Sequence, residues 1–340
     1  MRFFAKTLCS LFALPIAVLG YLRSGLTSYR GHMALVQLFC FSGGVSNDIA
    51  SRIIGRRQRP IDIPSPKGVL GDLRGEALTR HVDTLRRDGY IVFPSALSPA
   101  ACERLMNFAL TTDALRRRMD HEPQTKGNVS AARFDPANPK AVRYDYKPAD
   151  LLSDPDVQAL LADPSLIALS QSYLGSRPRA DVLSMWWHTP FHDRPDAEAA
   201  QYFHFDMDRV KWLKIFVYLT DVGTDDGPHT FIAGSHRTGA IPWAMRKRGY
   251  VRLRDEEVME CFGPERHIEF VAPRGTIIVE DTRGLHKGKH VSGSSRLVLQ
   301  LQFSNALFGA EYPKASISEV RDPSLADMIR RAPDIYQAYR

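Results

Sequence analysis

Apolar and polar positions change rhythm near the middle of the chain. Over residues 76–87, Ala77, Leu78, His81, Val82 and Leu85 recur at helical spacing, and Asp88-Gly89 stops the run before a short strand at 90–93. Ser98 followed by Pro99 reads as an N-cap and a first helical residue for a helix through about Leu110. More helix is expected at 156–161 and 165–174, the latter ended by Gly175. Past residue 180, short β-type runs appear at 182–188, 213–219, 267–271, 276–279 and 297–303. Turn residues at 224–228 and 273–275 separate them. Helices first and antiparallel-type strands later predict an α+β domain built on a β-sandwich or barrel.

Two apolar stretches precede this domain. Residues 7–22 are uncharged and lie between Lys6 and Arg23, but sixteen residues with Pro15 inside fall short of the ~20 that span a bilayer as a helix. No convincing A-x-A cleavage site follows. A second uncharged stretch, 31–45, gives way to Arg52, Arg56, Arg57 and Arg59. Charge sharpens the contrast. Residues 1–60 hold eight Lys/Arg against the single acid Asp48, which accounts for the whole net charge of +7. The remainder balances, which excludes the basic surface expected around a nucleic-acid site. The leader is expected to lie in an anionic leaflet as an interfacial anchor. Its rivals are helices packed on the enzyme body and a cleaved or spanning signal. Four scattered cysteines form no CxxC pair, which argues against a zinc knuckle or a disulfide framework and for a reducing, cytoplasmic compartment. The expected organisation is a leader over 1–60, a Pro/Gly-rich linker over 61–75, a catalytic domain over 76–310 and a tail over 311–340.

His204 and Asp206 stand two apart after Gln201, Tyr202 and Phe203. In a strand such residues share a face and can offer one nitrogen and one oxygen to a single ion. A histidine from a distant strand would complete a triad that leaves adjacent positions open, as non-haem iron(II) requires. Further on, Gly284-Leu285-His286 follows a strand and a turn, and Arg296 opens the run at 296–303. A guanidinium there suits a bidentate grip on a dicarboxylate. Taken singly, these residues read equally well as solvated or edge-strand groups.

Four segments in order carry a resemblance: 87–98, 201–206, the Gly-Ser-His turn within 226–237, and 275–296. Together they resemble the phytanoyl-CoA dioxygenase family of iron(II)- and 2-oxoglutarate-dependent oxygenases. That resemblance implies a double-stranded β-helix, a jelly roll of the cupin-like kind, with flanking helices. It implies iron(II) on His204, Asp206 and His286, 2-oxoglutarate anchored by Arg296, and co-substrate contacts from Gln201 and His229. His229 stands where relatives carry Thr or Leu. It also implies oxidation of an organic substrate by O2 with decarboxylation of 2-oxoglutarate to succinate. An aspartate as the carboxylate ligand points to hydroxylation. The basic, apolar leader points to a lipid or lipid-linked glycan, with a small metabolite as the rival; a catalytically silent binding protein is the alternative of another class. His236 is read as structural. His290 is too close to Arg296 for the distal ligand, His188 and His192 lie on or beside a pocket strand, and either Trp186 or Trp187 faces that pocket. The basic insert at 246–254 is read as a solvated surface.

Overall fold

The structure, a computed structural model, describes residues 2–117, 130–197 and 199–340. Three helices open the chain: α1 (Arg2–Ser24), α2 (Tyr29–Ser42) and α3 (Val45–Arg57). A small hairpin, β1 (Lys67–Gly68) and β2 (Gly71–Asp72), leads to α4 (Glu76–Asp88), β3 (Tyr90–Phe93), α5 (Pro99–Thr111), β4 (Ala114–Arg116), β5 (Ala131–Ala132) and β6 (Arg143–Asp145). Short helices α6 (Pro148–Leu152), α7 (Pro155–Leu161) and α8 (Pro164–Leu174) precede β7 (Arg179–His188), β8 (Trp212–Tyr218) and β9 (His229–Ile232). Then come α9 (Trp243–Arg246), α10 (Asp255–Phe262), β10 (His267–Glu269), β11 (Ile277–Glu280), β12 (His286–Gly288), β13 (Arg296–Ser304) and α11 (Pro323–Arg331).

Local chemistry sets several boundaries. Ser98 accepts a hydrogen bond from the Ala101 amide at the start of α5, and Asp163 caps Ser165 and Leu166 at the start of α8. Gly89 closes α4 at φ 91°, a left-handed conformation that costs glycine least.

An eight-stranded antiparallel sheet runs β3-β11-β8-β13-β7-β6-β4-β5, and a three-stranded one runs β10-β9-β12. Alternation decides what each face of the large sheet carries. Leu183, Met185 and Trp187 of β7, Leu213, Ile215 and Val217 of β8, and Leu297, Leu299 and Leu301 of β13 pack in one core with Leu85, Leu105 and Leu166 of the helices. The opposite face carries Trp186, Phe216, Tyr218, Ile278 and Val298, which cluster with Phe231 and Phe270 of the small sheet side. The site lies between the two sheets.

Four features differ from the sequence reading. α1 runs 23 residues through Pro15, so the sixteen-residue limit does not hold; the helix is long and apolar enough, by length and composition, to cross a membrane. The second and third leader helices are part of the body. Leu35, Val36, Phe39 and Cys40 share a core with Phe203, Phe205, Met207 and Trp212, the stretch that carries His204. His32 Nε2 lies 2.9 Å from the Met207 carbonyl, and the Asn47 amide donates to the Val210 carbonyl at 2.9 Å. The linker is docked: Leu70 and Leu73 are buried, and the Val69 amide donates to Asp163 at 2.8 Å. The tail is docked too, with Leu325, Ile335, Tyr336 and Tyr339 buried in the main core.

Candidate metal centre

His204 and His286 are partners across an isolated antiparallel bridge, the His204 amide donating to the His286 carbonyl at 3.0 Å and the reverse bond closing at 2.9 Å. The stretch around His204 forms bridges rather than a regular strand, yet the expected two-residue alternation survives. Phe203 and Phe205 turn into the core beneath α2, while His204 and Asp206 turn toward His286. Asp206 is fixed by its amide, which donates to the Thr282 carbonyl at 2.8 Å.

One ligand atom from each of His204, Asp206 and His286 lies within 4.8 Å of the others, and all three residues are buried. His286 Nε2 is 3.4 Å from Asp206 Oδ2, and His204 Nε2 is 3.7 Å from Asp206 Oδ1. The other ring nitrogens face backbone carbonyls: His204 Nδ1 is 2.9 Å from Tyr202 O, and His286 Nδ1 is 3.0 Å from Gly284 O. Those contacts assign the hydrogen to Nδ1 and leave both Nε2 lone pairs aimed at the shared space. Two imidazoles and one carboxylate, with their outer partners in place, fit a borderline divalent ion such as iron(II).

Charge around the triad is organised by residues the sequence did not single out. Lys214 of β8 lies 2.5 Å from Asp206 Oδ2 and 3.0 Å from Asp208 Oδ2. Burial opposes charge on Asp206, but Lys214 and the two imidazoles hold its carboxyl well below the usual range. Burial, and then His286, push His204 well below the usual imidazole range. At His286 burial is outweighed by Asp206, which raises it. Behind them, burial pushes the Glu280 carboxyl up to about 8, and its Oε2 meets His229 Nε2 at 2.9 Å. The His229 ring lies 5.6 Å from that of His286 and stacks on Phe270.

Arg296, His188 and Arg143 are register partners on β13, β7 and β6, so their side chains share the site-facing side of the sheet. Arg296 is 2% exposed; it donates to the Gly227 carbonyl, and its Nη2 lies 2.9 Å from His188 Nδ1. Gly227 itself is left-handed at φ 69°, and a Cβ there would collide with Val291. Arg296 Nε, His188 Nε2 and Trp186 Nε1 are buried without a hydrogen-bond partner among the described residues. Burial, then Arg296, drive His188 well below its usual range, so it stays neutral and Nε2 carries a hydrogen. Three unused N–H donors, one of them the guanidinium's own Nε, suit a carboxylate. Arg143 lies over the Trp186 ring at 4.4 Å and pairs with Asp145 at 2.7 Å.

Of the sequence candidates, Gln201 is buried, with Oε1 accepting from the Asp196 amide at 2.8 Å and Nε2 unpartnered among the described residues. Trp186 faces the site, whereas Trp187 packs into the helix-side core and donates to Tyr146 at 3.0 Å. His236 Nε2 lies 3.2 Å from the Arg86 carbonyl, in keeping with a structural role. The insert at 246–254 is not only solvated surface: the Tyr250 ring lies 6.4 Å from that of His204. Sequence reasoning missed Lys214, Glu280 and Arg143; the only signal for Lys214 and Glu280 was a lone charge at the site-facing parity of an otherwise apolar strand, and Arg143 in the three-residue Arg-Tyr-Asp strand had none.

The turn that delivers His286 is pinned by a buried ion pair. Arg283 Nη2 lies 2.6 Å from Asp281 Oδ2, Tyr173 donates to the same carboxylate at 2.6 Å, and Asp48 of α3 lies 3.3 Å from Arg283 Nη1. Arg283→Met is expected to destabilise the protein by about 3–5 kcal/mol, because it strands a buried carboxylate. Thermal unfolding checks this; an unchanged midpoint would show that the pair contributes nothing.

No curated protein matches the chain. Among solved structures, HygX from Streptomyces hygroscopicus, with nickel and 2-oxoglutarate bound, is 15% identical, with a TM-score of 0.50 over 71% of this chain and 93% of that one. EctD from S. alaskensis with bound Fe is 18% identical, with a TM-score of 0.46 over 75% and 85%. The epimerase SnoN, in complex with Fe3+, alpha-ketoglutarate and nogalamycin RO, is 20% identical, with a TM-score of 0.47 over 67% and 84%. At such identities the likeness is one of fold. The family model described as phytanoyl-CoA dioxygenase matches residues 85–298, well over half of the sequence and all of the triad. The chain therefore belongs to the phytanoyl-CoA dioxygenase family of iron- and 2-oxoglutarate-dependent oxygenases.

Proposed function

We propose that the protein hydroxylates a C–H bond of a lipid or lipid-linked glycan, using iron(II) on His204, Asp206 and His286 and 2-oxoglutarate anchored by Arg296. The observation that carries this reading is the pairing of two sites: three buried donor atoms within 4.8 Å of one another, and a buried guanidinium flanked by unused N–H groups on the neighbouring sheet. The two sheets are read as the walls of a double-stranded β-helix. Iron(II) with 2-oxoglutarate supplies the oxidising power, O2 being the oxidant and succinate and carbon dioxide the by-products.

The chain's own groups supply position. Lys214 holds Oδ2 of Asp206, which favours ligation through the other oxygen. Arg296, with His188 and Trp186, receives the distal carboxylate of the co-substrate. Gln201 offers its free amide hydrogens to the same ligand, and His229, held by Glu280, forms the wall beside His286. Phe216, Phe231 and Phe270 exclude water from that wall. The apolar outer face of α1 favours a lipid over a small diffusible metabolite, and the four free cysteines support a cytoplasmic setting at a membrane surface.

Succinate formation by anaerobically iron-loaded protein, screened against lipid and metabolite extracts, tests the reading; no substrate-stimulated turnover from any extract would reject it. Arg296→Lys keeps the charge and loses the planar fork. Its KM for 2-oxoglutarate is expected to rise at least about tenfold, or ~1.4 kcal/mol, with iron affinity nearly unchanged. A rise below about twofold, ~0.4 kcal/mol, places the anchor elsewhere.

A further inference from the structure

α1 is apolar on both of its sides, and only one of them is covered by protein. At ~100° per residue, Phe4, Leu8, Leu11, Phe12, Ile16, Leu19 and Leu22 fall on one side, and that side faces outward: Phe12 is 69% exposed, Ile16 72% and Leu22 67%. The opposite side packs Phe3, Leu14, Ala17 and Tyr21 against the core shared with α2, with Thr7 and Ser10 buried among them, and the Gln37 amide of α2 donates to Thr7 Oγ1 at 2.9 Å. A helix apolar all round is one that is covered on every side, whereas a helix at a water surface is polar on its outer face.

The outward apolar face continues beyond α1. Phe4 contacts Phe41 of α2 and Trp243 of α9, ring centroids 6.1 and 6.4 Å apart, and all three rings are exposed. Ile49 and Ile53 of α3 are about half exposed. Between α1 and the turn into α2, a cavity of about 500 Å³ is lined by Ala13, Ile16, Ala17, Gly20 and Leu26, with Arg30 beside them.

Charge identifies what covers this face. Residues 1–47 contain no acid, and the exposed Lys6, Arg23, Arg30, Arg52 and Lys247 form no ion pair among the described residues. A second copy would set these cations against themselves. An anionic leaflet complements them, and exposed aromatic rings suit the headgroup boundary.

We propose that the outer face of α1, with Phe41, Trp243 and the α3 isoleucines, docks on an anionic bilayer and sets the iron site against its headgroup layer. The α9 turn joins the two: Trp243 belongs to the exposed aromatic cluster, and Tyr250, seven residues on, reaches the ring of His204. The substrate is then an amphiphile drawn from that leaflet. This substrate assignment rests on the dioxygenase reading; the docking does not.

Tryptophan emission gives a local readout, because Trp186, Trp187 and Trp212 are buried and Trp243 is not. Full-length protein is mixed with phosphatidylcholine vesicles, with or without about one third phosphatidylglycerol. Sedimentation with the anionic vesicles and a blue shift of emission are expected, both weakened but not abolished by high salt. Ile16→Glu should weaken sedimentation at least tenfold while leaving Trp243 in place to report, and Trp243→Glu should remove the shift. Neither residue touches the metal centre, so solution turnover of 2-oxoglutarate should stay unchanged in both. Equal binding to neutral and anionic vesicles, or none, overturns the docking. So does a wild-type dimer that Ile16→Glu converts to monomer, since a second copy then covers the face. Vesicle binding without any 2-oxoglutarate turnover would instead overturn the dioxygenase reading and leave the docking standing.

Discussion

His204→Ala and Asp206→Ala are each expected to abolish iron(II)-dependent turnover of 2-oxoglutarate while the domain stays folded. Each removes one of three donors held within 4.8 Å. Loss of a mere outer partner of a metal ligand costs about 10–100-fold in affinity or activity, so loss of a ligand should exceed that. Folding should survive for a local reason. In Asp206→Ala the Lys214 ammonium keeps Asp208 at 3.0 Å and is not left as a bare buried cation. In His204→Ala the backbone pair with His286 remains. Succinate release checks the loss of turnover, anaerobic iron titration the loss of the ligand, and circular dichroism the fold. Full turnover in either variant would dissolve the triad.

A chain beginning at Pro60 is expected to aggregate, whereas one beginning at Leu26 should stay soluble and folded. The first removes α2 and α3 from the core they share with Phe203, Phe205, Met207 and Trp212. Each large apolar side chain contributes about 1.5–3 kcal/mol when buried. Losing Leu35, Val36 and Phe39 is thus comparable with much of the ~5–15 kcal/mol net stability of a whole domain. Truncation also leaves the Arg283 turn without Asp48 and the Val210 carbonyl without Asn47. The second chain loses chiefly a helix whose larger face is already exposed. Size-exclusion chromatography and thermal unfolding of both chains decide the matter. A monomeric, active Pro60 chain would make all three helices dispensable.

Local features were readable from the residues alone. Helices with caps, such as those opened by Ser98 and closed by Gly89, were legible because their signals lie within a few residues. His204 and Asp206 were legible as a pair because two-residue spacing alone sets them on one face. His286 and Arg296 became legible through the order of four segments, not through any property of either residue. Strands β9 and β12 were not read from the sequence, although strands as short as β3, β10 and β11 were.

Tertiary structure decided the rest. β13 alternates, Leu297, Leu299, Leu301 and Phe303 against Arg296, Gln300 and Gln302, but both faces are buried, so only the fold shows that the side of Arg296 lines the site and does not meet solvent. The row of Arg143, His188 and Arg296 exists only because β6, β7 and β13 pair in that register. Lys214 of β8 meets Asp206 only through the way the chain folds back on itself, a contact no spacing encodes. The leader shows the same limit most plainly. α1 and α2 are both apolar and both pack on the core, yet α1 leaves a whole second apolar side exposed. Composition fixes how much apolar surface a helix carries; only the position of its neighbours decides whether protein or something else must cover it.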